Sequence, residues 1–226
     1  MGFMKFLPAR KILFIAILAI LTVLTVPALL SCGDDTLRMK NDGNTGNLID
    51  EENGRYYIFC RGYLQAAAIN PAVYAKGDQG EILYEVYGVD PAEWISEDIS
   101  KGIAFIFREQ SVEEPKFEEF GAVKIHVTIE YEINVGVDVI EDRKTVNNIV
   151  NDYIYNQEVY CPEYIPDTFN FYFESEKYKG IYYVLKYLID EENNAYLYDG
   201  WTGRCVPCSF NPFKGNDTGN DDEKEG

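Results

Sequence analysis

The sequence predicts an α+β domain built mostly on antiparallel β-sheet, with one or two helices. Three observations predict it. Residues 123–139 alternate between apolar and polar side chains, several other short apolar runs are bounded by turn residues, and a single segment carries a clear helical period. Strands and helices do not alternate regularly, so a parallel βαβ sheet is not expected.

Taken in order, Tyr56–Cys60 reads as a short strand, and Tyr63–Ile69 and Ala72–Ala75 are ambiguous runs around an Asn70-Pro71 turn. Glu81–Tyr87 is strand-like and ends at Gly88-Val89-Asp90-Pro91. Asp90 followed by Pro91 has the look of an N-cap and first helical position, so Pro91–Ile99 is expected to be a short helix. Gly102–Arg108 is another strand. Val123, Ile125, Val127, Ile129, Tyr131, Ile133, Val135, Val137 and Val139 occupy alternate positions, which predicts that the odd residues face the core and the even ones face water. Seventeen residues exceed a usual strand, so a turn, bulge or bend is expected near Asn134–Gly136. In Asp142–Tyr155, Val146, Ile149, Val150, Tyr153 and Ile154 fall on one helical face. Thr168–Glu174, Gly180–Ile189 and Ala195–Tyr198 are strands, the last two joined by turn chemistry at Asp190–Asn194.

Outside this region the chain changes character. Lys5, Arg10 and Lys11 precede an apolar run from Ile12 to Leu30, and Leu29-Leu30-Ser31-Cys32 closes it. A positive start, apolar middle and small residue at the cut are the order of a secretory signal. The last four residues resemble the bacterial lipobox. That resemblance implies cleavage after residue 31, lipid (palmitate among the acyl chains) on Cys32, and an extracytoplasmic protein held to a membrane. An uncleaved transmembrane anchor is the alternative for a run of this length. Gly33-Asp34-Asp35 resembles the surface-export signal of lipoproteins in the Bacteroides group, which implies the outer membrane or cell surface. Residues 32–54 are polar and read as a flexible tether, residues 55–213 as a single domain, and residues 214–226 as a disordered acidic tail. Residues 55–213 suggest no known family.

The formal net charge is −18, and the leader holds three positive residues and no negative one, so the exported chain is more acidic still. This excludes nucleic acid, whose phosphates need Lys and Arg, and adhesion to anionic lipid head groups. It suits a basic partner. Aromatic residues make up 15% of the chain, including 18 Tyr, enough to fill a core and also to line a platform for a sugar or peptide.

Motifs for chemistry are few. Cys60, Cys161, Cys205 and Cys208 are an even set in an exported domain and are candidate disulfides, with at least one of Cys205 and Cys208 expected to bond to Cys60 or Cys161. Cys205-Val206-Pro207-Cys208 resembles the thioredoxin-type motif, which would imply a dithiol oxidoreductase. The expected helix does not follow it, since Ser209-Phe210-Asn211-Pro212 comes next. A four-cysteine zinc site lacks its second x₂ pair. His126, the only histidine, sits among polar-face residues with no nucleophile elbow or zinc-binding helix near it in sequence. Glu113, Glu114, Glu118 and Glu119 form one acidic cluster and Asp190, Glu191 and Glu192 another; paired carboxylates serve glycoside hydrolysis. Asp217–Glu223 is oxygen-rich but resembles no EF-hand loop. No catalytic residue, metal or cofactor is assigned. The sequence favours a lipid-anchored binding or structural module for a protein, peptide or glycan, over an envelope enzyme (dithiol oxidoreductase or carboxylate hydrolase) or an inhibitor or immunity factor for a basic target.

Overall fold

A computed structural model describes residues 36–97, 105–130, 134–162 and 167–212; the leader, Cys32 and the acidic tail lie outside them. The described chain is mostly antiparallel β with two helices, and from Leu37 onward it forms one unit.

The first half closes into a small barrel. Its strands are β1 (Leu37–Asn41), β2 (Leu48–Asp50), β3 (Arg55–Phe59), β5 (Ile69–Gly77), β6 (Ile82–Val86), β7 (Trp94–Ser96) and β8 (Ile106–Glu109), in the order β1-β2-β3-β8-β7-β6-β5. The seam is the parallel β1–β5 pair, with Leu37 opposite Ala75 and Met39 opposite Gly77. Met39, Leu48, Tyr57, Ala75, Leu83, Ile95 and Phe107 fill the interior. Closure leaves this sheet no free edge.

The second half is an open sheet of β9 (Ala122–Glu130), β10 (Asn134–Ile140), β11 (Asp167–Ser175), β12 (Ile181–Ile189), β13 (Ala195–Tyr198) and β14 (Cys205–Cys208), in the order β10-β9-β11-β12-β13-β14. A further strand, β4 (Leu64–Ala66), leaves the barrel and pairs with the start of β12. Odd residues of β11 and β12, among them Phe171, Phe173, Leu185 and Tyr187, are buried on the inner face. Helix α1 (Phe117–Phe120) presses Phe117 and Phe120 into that face, with Phe117 edge-on to Phe173 and Tyr183. Helix α2 (Arg143–Tyr155) covers the face from β9 to β14, burying Val146, Ile149 and Tyr153. Its Asp142 cap accepts the Thr145 N–H at 2.9 Å.

Barrel and sheet share side chains. On β7 and β8, Ile95 and Phe107 point into the barrel, while the neighbouring Trp94 and Ile106 belong to the sheet's core. Gly180, at φ +79°, sits where a Cβ would lie 2.2 Å from the Tyr87 carbonyl oxygen, so only glycine fits this joint.

Four expectations need correction. Residues 37–50 are not tether but two barrel strands, with Met39 and Leu48 buried; their polar neighbours are the barrel's wet side. Of the helix expected at Pro91–Ile99, residues 91–96 are turn and strand. Asp90 accepts the Ala92 N–H at 2.8 Å in a local turn, and Trp94–Ser96 then pairs with β6 and β8. Asn70-Pro71 is no turn; β5 runs through it with shifts in register. The core-facing alternation holds for Ile125 and Val127 but not for Val135, Val137 and Val139, which are 42%, 48% and 45% exposed. The register shift between Gly136 and Asp138, close to the expected bulge, moves Val139 opposite His126 on the outer face. Residues 131–133, with Tyr131 and Ile133, lie outside the described residues, as do residues 98 and 99 of the Pro91–Ile99 expectation and residues 102–104 of the Gly102–Arg108 expectation.

Candidate ligand groove

The outer face of the open sheet carries the even residues. One row runs straight across it: Tyr198 opposite Lys186, Lys186 opposite Asn170, Asn170 opposite Thr128. The next row sets Val184 against Tyr172 and Tyr172 against His126. Over these rows lies a groove of about 660 Å³, a size usual for small-ligand sites. Asn170, Tyr172, Val184, Lys186 and Tyr198 form its floor, and Gln65, Phe105 and Trp201 rise at its sides.

Trp201 is 49% exposed yet firmly placed. The carboxylate of Asp199, itself 2% exposed, accepts the Trp201 N–H at 2.8 Å and the Thr202 hydroxyl at 2.9 Å. The Gly203 N–H closes the turn on the Asp199 carbonyl at 2.9 Å. The indole lies against Gly62, where a Cβ would come within 2.7 Å of Trp201 Nε1. A large aromatic left half in water, on a turn held by a buried carboxylate, is preorganised for contact. At the floor, Asn170 is 6% exposed and its amide lines the groove. Beside it in register, Thr128 Oγ1 is buried without a hydrogen-bond partner among the described residues. Buried polar groups are normally satisfied, so the Thr128 hydroxyl beside Asn170 marks a place where something polar is wanted.

A second cavity, of about 590 Å³, opens beside α1 and is lined by Glu114, Glu118, Glu158, Asp199, Arg204 and Tyr153 among others. It gathers Glu114 and Glu118 of the first acidic cluster, whereas Glu113 and Glu119 do not line it. Two of its carboxylates already serve the structure. Glu114 accepts from the Tyr63 hydroxyl and from Arg108 at 3.2 Å, and Asp199 holds the Trp201 turn. Burial, then the Asp199 charge, push the Tyr153 phenol up, and burial with the Glu114 bond does the same at Tyr63. These phenols stay protonated donors.

No family model, curated protein or solved structure matches this chain. Its chemistry therefore rests on its own residues.

The four cysteines among the described residues are free thiols, so the expected bonds to Cys60 or Cys161 are not formed. Cys205 and Cys208 lie on one strand three residues apart, so they face opposite sides of the sheet, with Cys205 opposite Tyr198 and Cys208 opposite Ala195. Strand rise puts their Cα atoms about 10 Å apart, beyond the roughly 7 Å a disulfide spans. Burial pushes both thiols up to about 12, the reverse of a reactive dithiol. Cys161 lies near Cys205, though not at disulfide distance. Cys60 is buried in the sheet's core near Glu114, and burial pushes it up to about 12 as well. His126 Nε2 meets Glu174 at 2.8 Å on the outer face, and its ring lies 5.3 Å from that of Tyr182. Asp190 turns the β12–β13 hairpin by accepting the Glu192 and Asn194 N–H groups at 3.0 and 2.8 Å. Among the described residues no cluster could hold a metal ion, and Asp217–Glu223 lies outside them.

Sequence reasoning found the aromatics as a class but missed Asn170, Lys186, Gln65 and Gly62. The outward positions of Asn170 and Lys186 were readable from the period of two; what stands over them was not.

Proposed function

We propose that this chain is a lipid-anchored lipoprotein of the cell envelope, displayed at the outer membrane or cell surface, whose α+β domain binds a ligand in the outer-face groove. One observation carries the binding reading: half-exposed Trp201, on a turn fixed by Asp199, in one groove with the Asn170 amide. The lipobox resemblance at Leu29–Cys32 supports the anchor, and the net charge of −18 argues against nucleic acid as the ligand.

Two measurements test this. Cys32→Ala is expected to release the protein from the membrane fraction or leave an uncut precursor; unchanged mass and retention would remove the anchor from the proposal. Trp201 is expected to be oxidised more slowly by hydroxyl radicals in intact cells than in the purified chain. Equal rates in both would count against an occupied groove.

A further inference from the structure

We propose that the groove takes a neutral glycan. This rests on the binding reading above and names the ligand class of that same site.

The floor decides against an extended peptide. Peptides that add to a sheet use the free N–H and C=O groups of an edge strand. Here the floor is the face of β11, β12 and β13, and each of these strands has neighbours on both sides. An amphipathic helix needs an apolar trough, and this floor carries Asn170 and Lys186 in its centre.

What the groove does present matches a pyranose. A sugar ring has apolar C–H faces and a rim of hydroxyls, each both donor and acceptor. Trp201, Tyr198, Tyr172 and Phe105 supply flat apolar bodies, and the tyrosines add polar tips. Between them stand amides. Asn170 offers a carbonyl acceptor and an NH₂ donor side by side, the pairing that two adjacent hydroxyls satisfy together. Gln65 carries a second amide, held only by a 3.4 Å contact from Nε2 to the Gly62 carbonyl, and Lys186 adds exposed donors. The other charge at the groove, Asp199, is spent on the Trp201 turn. With Lys186 the cation that lines the groove among the described residues, in a chain of net charge −18, the site is poorly suited to a polyanion, and a neutral saccharide avoids both repulsion and an unpaired buried charge.

The test uses the whole chain purified in detergent, with Trp201 emission and isothermal calorimetry as readouts. Trp94, 3% exposed, gives a constant background. The probes are neutral hexasaccharides of glucose, mannose, xylose and N-acetylglucosamine, with a random decapeptide pool in parallel. At least one saccharide is expected to bind saturably and shift the emission. Trp201→Ala should weaken it about tenfold or more, as loss of an aromatic hot spot does, with an unchanged melting temperature. Asn170→Asp, which keeps the shape but loses the NH₂ donor, should weaken it as well; Gln65→Ala, at a less buried position, gives the same readout should Asn170→Asp fold poorly. Peptides that bind in a Trp201-dependent way while no saccharide does would overturn the glycan assignment and leave the binding reading standing. Saccharide binding indifferent to all three substitutions would remove the groove as its site. Silence from both probe classes would count against both readings.

Discussion

The barrel closes around seven buried side chains, from Met39 to Phe107, whereas the inner face of the open sheet belongs to a cluster of 27. The barrel has no edge to protect; its order comes from closure and from leaning Val86, Trp94 and Ile106 on the neighbouring core. The sheet has edges and depends on side-chain packing, with Phe171 stacked on Tyr187 at 4.5 Å and α2 laid across the layer. The contrast teaches where each half is vulnerable: the sheet to a charge in its aromatic layer, the barrel to loss of a strand at its seam. It also explains the placement of the groove, on the sheet face that α2 does not cover, with barrel residue Phe105 at its side.

The largest effect is expected in the sheet. Val127 is 7% exposed on the inner face, while Val139, beyond the bulge, is 45% exposed. Val127→Asp should destabilise the domain by about 3–5 kcal/mol, since an unpaired carboxylate replaces a core methyl pair, and Val139→Asp should stay within about 0.5 kcal/mol. Urea unfolding measures both. Equal costs would mean that the register shift does not turn Val139 outward.

On β2, one strand from the barrel seam, Leu48→Ala should cost about 2–4 kcal/mol, the usual loss for a buried leucine. Leu48 is 0% exposed, so a tether-like response of near zero would refute closure of the barrel through β2. Amides of β1 should exchange faster in this variant than those of β12, because the seam opens before the sheet does.

How much of this was legible follows from the same contrast. Strands β9, β11 and β12 have one wet face, so Ile125, Phe171 and Leu185 alternate with polar neighbours and the pattern can be read. The barrel strands are short, and β7 and β8 are buried on both sides, so Trp94-Ile95 and Ile106-Phe107 carry no alternation. In β1 and β2 the single buried residues Met39 and Leu48 stand among polar ones, a composition that a flexible tether shares. Asp90 misled because the same side-chain bond to a backbone N–H serves a helix cap and an isolated turn. Helix α2 was plain from its period and cap. The groove was only half visible. An outward Asn170 follows from pleating, but the loop that overhangs it depends on contacts of Trp201 with Gly62, 139 positions away, which no local pattern encodes.

The thiols offer a smaller effect at the sheet's edge. The segment before Cys161 runs along β14, where the Val159 N–H donates to the Cys205 carbonyl at 2.8 Å. Oxidised glutathione is expected to link Cys161 to Cys205, the two thiols giving up two protons and two electrons as the glutathione disulfide is reduced. Stability should rise by about 2 kcal/mol, at the low end for such a loop because the sulfurs must first move together. Peptide mapping that instead finds a Cys205–Cys208 link would contradict the opposite facing of these residues on β14. The barrel should not respond to either oxidant or reductant, since its seam contains no cysteine.

The smallest effect tests helix α2 over the open sheet. Asp142 caps α2 by accepting the Thr145 hydroxyl at 2.7 Å and its N–H at 2.9 Å, and these bonds, the hydroxyl first, hold its carboxyl below the ordinary value of 3.8. A carboxylate whose folded pKa is depressed adds stability above its unfolded pKa and loses it as pH falls through the folded value. Asp142→Ala should therefore lower the melting temperature by about 2–4 °C at neutral pH, a modest change typical of a lost cap. As pH falls below 3.8 the wild-type carboxyl protonates in turn, so the gap between wild type and variant should narrow. Amides in α2 should exchange faster in the variant, while those of β6 in the barrel should not change, because the cap's bonds all lie within the first turn of the helix. A gap that stays constant from pH 7 to pH 2 would mean that the Asp142 side chain contributes by shape rather than by charge.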